Sequence, residues 1–440
     1  MSRFRALLVR IALFSVTPLF LAHGQGSALV TVEHADSLVA RQVEGVSYRE
    51  LMGNVRIRQG NVRITCDRAV QNITGNDVEL IGNVTIIQDT LTFRTPGGMY
   101  DGDNRTAWST RGVYLHDGHT TLRADAGRYD TRSRTAHFRS NVVVEEPQAV
   151  IRSETLVYER NGSCATAMGN VQLDFTGENA VVKADTVVHW IDRRISVFTG
   201  APVLWQIDTV TVRRDTTAGD TTRIDTTSIR ARRLEARRDS SNVYTALDSV
   251  EIVRGDMAGR CGEAVFLRND SLIILRHEPV LWYGRTQGTG DSVTITLEGG
   301  EVRLLELQGH AFAHSESVPG EEESRGPPDR YDQAKGKIIR MYFSGGELVR
   351  IVVEGTAESV YYLYEGRDLN GVRRETAERI VLEFSGGTAE TVRSTGGVEG
   401  IYYPEKYVTG RENAYNLEGF AIRTDRPVQP RYPKGVENSH

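Results

Sequence analysis

Cysteine, proline and net charge are all scarce in this sequence. Its 440 residues include 3 cysteines and 12 prolines, and 53 basic residues nearly balance 58 acidic ones, for a net charge of −5. Cysteines as few and as widely spaced as Cys66, Cys164 and Cys261 cannot form a disulfide framework. We expect them to be small buried apolar side chains, with pairing of two of them left open. The near-neutral balance excludes a globally basic nucleic-acid-binding protein.

Long apolar runs are absent beyond the N-terminus. Three arginines in the first ten residues precede a short apolar stretch, Ile11 to Leu21, which is followed by the small residues of Ala22-His23-Gly24. This order is typical of a secretory signal peptide. The stretch falls short of the ~20 residues that a membrane-spanning helix needs. We therefore predict a cleaved signal over residues 1–24 and an exported, soluble mature protein.

Glycine is abundant, with 43 residues, and part of it is periodic. Gly-Asn-Val triplets begin at Gly53, Gly82 and Gly169, and looser copies end at Val113 and Val142, so that five valines follow one another at 29-residue steps. Such a period is typical of stacked repeats, because one unit cannot bury its own apolar face. Alternation of apolar and polar residues within each unit indicates strands with one buried face. The apolar columns comprise Val55, Ile57, Ile64, Val84, Ile86, Phe93, Val113, Leu115, Leu122, Val142, Val144, Ile151, Val171 and Leu173.

Two polar columns keep the same step. A catalytic acid is needed only once, so an acid that recurs after a tyrosine predicts turn or ladder hydrogen bonds instead. Arginines offset by one residue from an apolar column are expected on the solvated outer face, with phosphate or sugar-acid binding at a groove rim as the alternative. The pairs are Tyr100-Asp101, Tyr129-Asp130 and Tyr158-Glu159, and the arginines are Arg94, Arg123 and Arg152.

The pattern changes in the second half of the chain. Gly-Gly pairs at Gly299, Gly345 and Gly386 lie between alternating apolar runs, which predicts two-residue hairpin turns. We divide the chain into six parts: a signal peptide (1–24), β-repeats (25–207), a Thr/Asp-rich insertion or loop (208–228), a second β region (229–313), an acidic, proline-containing linker (314–335) and a C-terminal β-repeat module (336–440).

The phased motifs resemble the OstA-like family, which includes LptA-type lipopolysaccharide-transport proteins. The likeness covers residues 30–205 well and residues 229–315 loosely. It implies an all-β, elongated jellyroll of stacked ~29-residue repeats, open along one side and V-shaped in section, with a further C-terminal β module. The residues that carry it are Gly53-Asn54-Val55, Gly82-Asn83-Val84, Ala124-Asp125 with Tyr129-Asp130, Gly169-Asn170-Val171 and Ala184-Asp185.

The resemblance implies a periplasmic, non-catalytic protein that shields lipid A acyl chains of lipopolysaccharide and assists outer-membrane assembly, with association at that membrane as a further option. The apolar columns would line its groove, unless they form a closed core. Expected partners are lipopolysaccharide and other transport components joined end to end by strand pairing; homo-oligomers stay open. Neither cofactor nor metal is expected, since His116 and His119 fit a turn as well as a ligand pair. The alternatives are an adaptor that binds only proteins by strand pairing and a carbohydrate-active β-helix enzyme.

Overall fold

A computed structural model describes residues 30–147, 149–175, 179–212, 221–318, 329–385 and 388–432. The predicted signal peptide, residues 1–24, lies outside them. The described chain is almost entirely β-strand, and every strand pairing in it is antiparallel. The predicted all-β class is therefore confirmed.

The first sixteen strands cover the 29-residue repeats and their continuation. They are β1 (Thr31–His34), β2 (Ser37–Val43), β3 (Val46–Gln59), β4 (Val62–Asn72), β5 (Asp77–Gln88), β6 (Leu91–Asp101), β7 (Thr106–Ser109), β8 (Val113–His116), β9 (Thr121–Ala124), β10 (Ala126–Asp130), β11 (Thr135–Glu146), β12 (Ala149–Glu159), β13 (Cys164–Phe175), β14 (Ala180–Trp190), β15 (Ile195–Thr199) and β16 (Val203–Val212).

The remaining strands lengthen toward the C-terminus. They are β17 (Thr221–Arg230), β18 (Arg233–Arg237), β19 (Val243–Arg254), β20 (Met257–Leu267), β21 (Leu272–Arg276), β22 (Val280–Tyr283), β23 (Thr286–Thr289), β24 (Ser292–Glu298), β25 (Glu301–Glu316), β26 (Tyr331–Ser344), β27 (Glu347–Glu365), β28 (Asp368–Ser385), β29 (Thr388–Thr395) and β30 (Glu399–Pro404). A four-residue helix, α1 (Glu405–Val408), follows, and two 3₁₀ turns cover Arg268–Asp270 and Glu412–Tyr415.

Every second strand along the stack bends at a corner, which we define as a site of left-handed backbone where the strand turns. Most corners are two consecutive left-handed residues, as at Gly53 and Asn54, with φ of +74° and +46°. The pairing register shifts there, from Met52 to Val55 in β3, which is the geometry of a β-bulge. The Gly-Asn step therefore has the predicted positive φ, but it lies inside a continuous strand and does not end one. Glycine suits the first position because it carries no Cβ.

The corners account for the sequence period. The steps of 29 residues from Gly53 to Gly169 are steps from one corner to the next, and several later corners are spaced more widely. The paired left-handed residues are Gly53-Asn54, Gly82-Asn83, Ser140-Asn141, Gly169-Asn170, Gly200-Ala201, Asp248-Ser249, His277-Glu278, Gly309-His310, Gly355-Thr356 and Gly396-Gly397, and Gly112 marks a corner alone.

Two successive long strands form one layer of the stack: β3 with β4, β5 with β6, and β7 to β10 together as the third. Each corner divides its layer into a pre-corner half and a post-corner half, which face each other across one apolar core. Hydrogen bonds join neighbouring strands within each half, whereas only side chains meet between the halves. A Cβ on Gly127 of one half, for example, would lie 2.9 Å from Cγ2 of Val113 in the other. The core runs without interruption from Leu51 to Ile380. The fold is an elongated, flattened jellyroll-like stack.

Two segments predicted as a loop and a linker are partly strand. The region 208–228 contributes the ends of β16 and β17, which pair from Val203 with Arg230 to Val212 with Thr221; its middle, 213–220, lies outside the described residues. Residues of 314–335 likewise belong to β25 and β26, and His314 is buried. Both predictions were wrong at these positions, because pairing with a neighbouring strand satisfies backbone groups whatever the polarity of the outward side chains.

The C-terminal chain runs back across the outer face of the post-corner half. We call residues 416–432 the strap. Its contacts progress toward earlier strands: Gln287 bonds to both Ala421 and Arg423, Arg260 pairs with Asp425, and the Trp205 indole donates to the Pro430 carbonyl at 3.3 Å. The strap covers apolar side chains on this face, namely Val253, Ala258, Val280 and Trp282, which are at most 8% exposed.

Candidate functional site

The fourteen predicted groove residues all belong to the interior of the stack. Thirteen of them are between 0% and 6% exposed, and Ile151 is partly buried against the same core. All fourteen lie in the post-corner half of successive layers, where the structure brings them together as one apolar column that packs against side chains of the pre-corner half. Two strands per 29-residue unit, spaced roughly 4.8 Å apart, extend this column by about 10 Å per unit.

The side opposite the corners, which we call the mouth, is where the tips of the two halves meet. The resemblance implies an open mouth, but the first two layers are closed by buried polar side chains. Gln59 accepts a hydrogen bond from the Tyr100 hydroxyl and donates one to the Gly102 carbonyl at 2.9 Å. We call such a pair a latch. The expectation of an opening along the whole side was wrong here, because the two tips satisfy each other's buried polar groups.

The second latch repeats the first one layer along. The Tyr129 hydroxyl donates to Gln88 Oε1 at 2.7 Å, and Gln88 donates to the Thr131 carbonyl at 3.3 Å. Burial raises the pKa values of Tyr100 and Tyr129 above the ordinary value, so both phenols stay protonated and able to donate. Sequence reasoning missed Gln59 and Gln88, although their 29-residue separation matches the repeat and could have identified them.

Three acids brace the corners: Asp36 and Asp125 of Ala-Asp pairs, and Asp67, which follows Cys66. Asn54 Nδ2 donates to Asp36 at 2.9 Å, and Asn83 Nδ2 donates to Asp67 at 2.8 Å. Asn141 does the same with Asp125 at 2.7 Å. An acid on one strand thus holds the left-handed asparagine of the next, which gives these motif residues a structural role.

In two of the three tyrosine-acid pairs, the acid holds a turn, as predicted. Asp101 Oδ1 accepts the backbone N–H groups of Asp103 and Asn104 at 3.0 and 2.9 Å. Asp130 accepts those of Arg132 and Ser133 in the same way. These Asx-type turns explain why the acid recurs with the repeat.

The arginine column lies on the outer face, as predicted. All three side chains are exposed. Arg94 lies over the Tyr114 ring, Arg123 pairs with Glu145 at 3.6 Å, and Arg152 pairs with Asp174. Exposed pairs of this kind contribute little to stability.

The histidine and cysteine side chains that could be catalytic or bind metal have structural roles. His116 Nδ1 lies 3.2 Å from the Thr120 carbonyl within the predicted turn. All three cysteines are free, and burial raises the pKa of Cys66 to about 11 and that of Cys261 to about 12, which makes both thiols unreactive. Over the described ranges, no group of His, Cys, Asp and Glu is arranged to hold a metal ion. Within them, no helix is long and apolar enough to cross a membrane.

Comparisons with known proteins concern mainly the N-terminal part of the chain. A family model described as OstA-like protein matches residues 27–185. Among solved structures, the chain is similar to LptH from Pseudomonas aeruginosa, described as the LptA homologous periplasmic component of the conserved lipopolysaccharide transport device; identity is 17%, the TM-score is 0.24, and the match covers 40% of this chain and 95% of that chain. No curated protein matches significantly. The match to the OstA-like family model thus runs from the first strands to the Ala184-Asp185 motif.

Proposed function

We propose that this protein is an exported, periplasmic carrier that shields the acyl chains of lipopolysaccharide and acts without catalysis in outer-membrane assembly. One observation carries the proposal: the OstA-like segment contains an uninterrupted aliphatic and aromatic core, built from side chains of two facing halves. Transfer of acyl chains from water into such an interior is favourable, by roughly 0.8 kcal/mol for each buried CH₂.

The filled interior is compatible with uptake because of how the halves are joined. Backbone ladders run along each half, so separating the halves at the mouth breaks no ladder hydrogen bond. The apolar contacts that are lost can be replaced by contacts with acyl chains, since burial is non-directional. Opening then costs mainly the latch hydrogen bonds, each of which contributes about 0.5–1.5 kcal/mol.

Both ends of the stack are suited to assembly with other transport components or with further copies. At the N-terminal end, β1 and β2 pair only with β3 among the described residues, and β2 exposes Leu38, Val39 and Val43. At the other end, β29 and β30 pair only with β28 within the same ranges. Unpaired edges offer backbone groups to another strand. These edges equally favour the second candidate function, a protein-binding envelope adaptor.

Photo-crosslinking from Leu115 distinguishes carrier from adaptor. Leu115 is 4% exposed inside the column, whereas Tyr114, one residue earlier, points outward. A diazirine-bearing aliphatic amino acid at 115 should crosslink to lipopolysaccharide in cells, and the same group at 114 should not. Charged substitutions such as Val113→Asp and Leu115→Arg should also abolish lipid binding, but they place a charge in the core and unfold the layer.

Arg111→Ala is the matched substitution for those charged variants, since Arg111 is exposed, and it should leave lipid binding unchanged. If a folded protein labelled at position 115 crosslinks only to another protein, the carrier function is wrong and the adaptor function replaces it.

A further inference from the structure

The third layer of the stack, β7 to β10, is interrupted at its corner along both passes of the chain. Its neighbours β5, β6, β11 and β12 are continuous, whereas β7 ends at Ser109 before β8 begins at Val113, and β9 ends at Ala124 before β10 begins at Ala126. A surface depression of about 800 Å³ lies at this corner, next to Gly112, Pro96 and Arg111. This layer therefore has less continuous backbone support than those on either side.

The post-corner tip of the same layer, the turn between β8 and β9, contributes no latch. Steps of 29 residues from Gln59 and Gln88 lead to Asp117, and the matching tyrosine is Tyr158. Asp117 Oδ1 accepts the backbone N–H groups of His119 and Thr120 at 3.1 and 2.9 Å. Within the described part of the chain, no hydrogen bond joins Asp117 to Tyr158. The carboxylate is occupied by its own turn, and an ionised carboxylate has no N–H to donate across the mouth.

Charged side chains surround this unlatched section. Glu146 takes the next position in the column after Asp117. Partial desolvation, and then the charge of Asp117, raise the pKa of the Glu146 carboxyl. Burial and Asp117 also raise the pKa of Tyr158. Asp117 and Glu146 both lie at tips of the post-corner half, so they place charge along one rim of the mouth, whereas the neutral amides of Gln59 and Gln88 reach across it and favour closure.

The mouth is closed again on both sides of this section. On one side lie the second latch and Asp89, which pairs with Arg134 at 3.2 Å and with Arg160 at 3.6 Å. On the other side the Arg238 guanidinium lies 3.9 Å from the centre of the Phe175 ring. The unlatched section is thus bounded by closed ones.

We propose that the mouth between Asp117 and Tyr158 is a lateral port through which the acyl chains of an amphiphile reach the apolar interior. The inference rests on the proposed carrier function and adds where uptake occurs. The charged rim keeps a polar head group in water while the chains pass between the tips. Leu115 and Leu122, on either side of the 117–120 turn, are the first apolar side chains inside.

Reversible locking of the mouth tests the port. Two double variants, Asp117→Cys with Tyr158→Cys and Gln59→Cys with Tyr100→Cys, are made in a background of Cys66→Ala, Cys164→Ser and Cys261→Ala. A bismaleimide with a reducible linker bridges the two cysteines of each pair across the mouth. The readout is the uptake rate of purified lipopolysaccharide labelled on its polysaccharide.

The lock at 117 and 158 should slow uptake at least tenfold, and reduction of the linker should restore the rate. The lock at 59 and 100 should change the rate less than twofold. Equal effects of both locks, no effect of the first, or no recovery after reduction would overturn the port. If the unlocked protein takes up no lipopolysaccharide, the carrier function fails, and the port fails with it.

A substitution without crosslinking gives a second test. Asp117→Gln places at the third layer the residue that forms the latch in the first two. It should slow uptake severalfold, whereas Asp117→Asn, whose amide is too short to span the mouth, should not. Uptake by Asp117→Gln at the unmodified rate would contradict the role of the missing latch.

Discussion

The N-terminal and C-terminal regions of the stack share corners but differ in how their outer faces are covered. Around β3 to β6, the outer face presents exposed arginines such as Arg56, Arg63 and Arg94 to water. Around β20 to β23, it presents Val280 and Trp282, which the strap buries. The difference shows that the corner defines the layer, while strand length and outer covering vary around it.

The number of residues between corners also shows that strand length varies while the corner is retained. Steps of 29 residues separate the early corners, whereas several later steps are longer, with 48 residues between Gly200 and Asp248, 46 between Gly309 and Gly355 and 41 between Gly355 and Gly396. Longer strands on both sides, such as β27 and β28, account for the increase. The Gly-Gly pairs at 299 and 345 are two-residue hairpin turns with positive φ at both residues, as predicted; the pair at 386 lies outside the described residues.

Removing the strap should give the largest contrast between the two regions. Deletion of residues 421–440 uncovers Val253, Val280 and Trp282 and removes the Asp425 partner of Arg260. At about 1.5–3 kcal/mol for each buried apolar side chain, we expect a loss of roughly 5 kcal/mol. Hydrogen exchange should speed up in β19 to β23 and stay unchanged in β3 to β6. Uniform acceleration along the chain would show that the two regions are not independent.

A corner glycine should be less tolerant than a turn glycine with a similar φ. A Cβ at Gly82 would overlap the Asp67 carboxylate, whereas a Cβ at Gly345 has no atom within 4 Å. Gly82→Ala should therefore lower the free energy of unfolding by about 3 kcal/mol, and Gly345→Ala by about 1 kcal/mol. Denaturant unfolding measures both. Asp67→Ala in the Gly82→Ala background should recover part of the loss; equal losses for the two glycines would contradict the bracing of corners by acids.

The pH dependence of the free energy of unfolding should differ between the two regions by a smaller amount. Burial raises the pKa of Asp332, near the strap, to about 6, although its Oδ1 accepts the Tyr362 N–H at 2.9 Å. Its folded pKa thus lies above the unfolded value of about 3.9. The associated stability is present below pH 4 and is lost as the pH rises through 6. Allowing for partial exposure, we expect a change of about 1–2 kcal/mol.

Asp332→Asn keeps the oxygen that accepts the Tyr362 N–H and should flatten this pH dependence. Asp67→Asn, in the N-terminal region, serves as the comparison and should leave the loss between pH 4 and pH 6 in place. Unfolding curves at pH 4, 5, 6 and 7 measure both variants. A slope that survives Asp332→Asn would assign it to another group.

Much of the fold could be predicted because the repeat acts locally. Alternation at Val55 and Ile57 identifies an inward face, and a Gly-Asn step favours left-handed backbone. The strap, the latches and the strands at 208–212 and 221–228 could not be predicted in this way. Each depends on which distant strand lies alongside, and a polar stretch such as 221–228 carries no apolar alternation to reveal it.

The sequence by itself determined the all-β class, the interior columns and the positions of the corners in the 29-residue series, because side-chain polarity and backbone preference are properties of single residues. Tertiary structure decided whether the mouth is open or closed. Gln59 and Tyr100 are 41 residues apart, and their hydrogen bond exists only because two tips from different layers meet. The same meeting places Asp117 beside Tyr158 without joining them, and this difference between chemically similar layers is where we place the port.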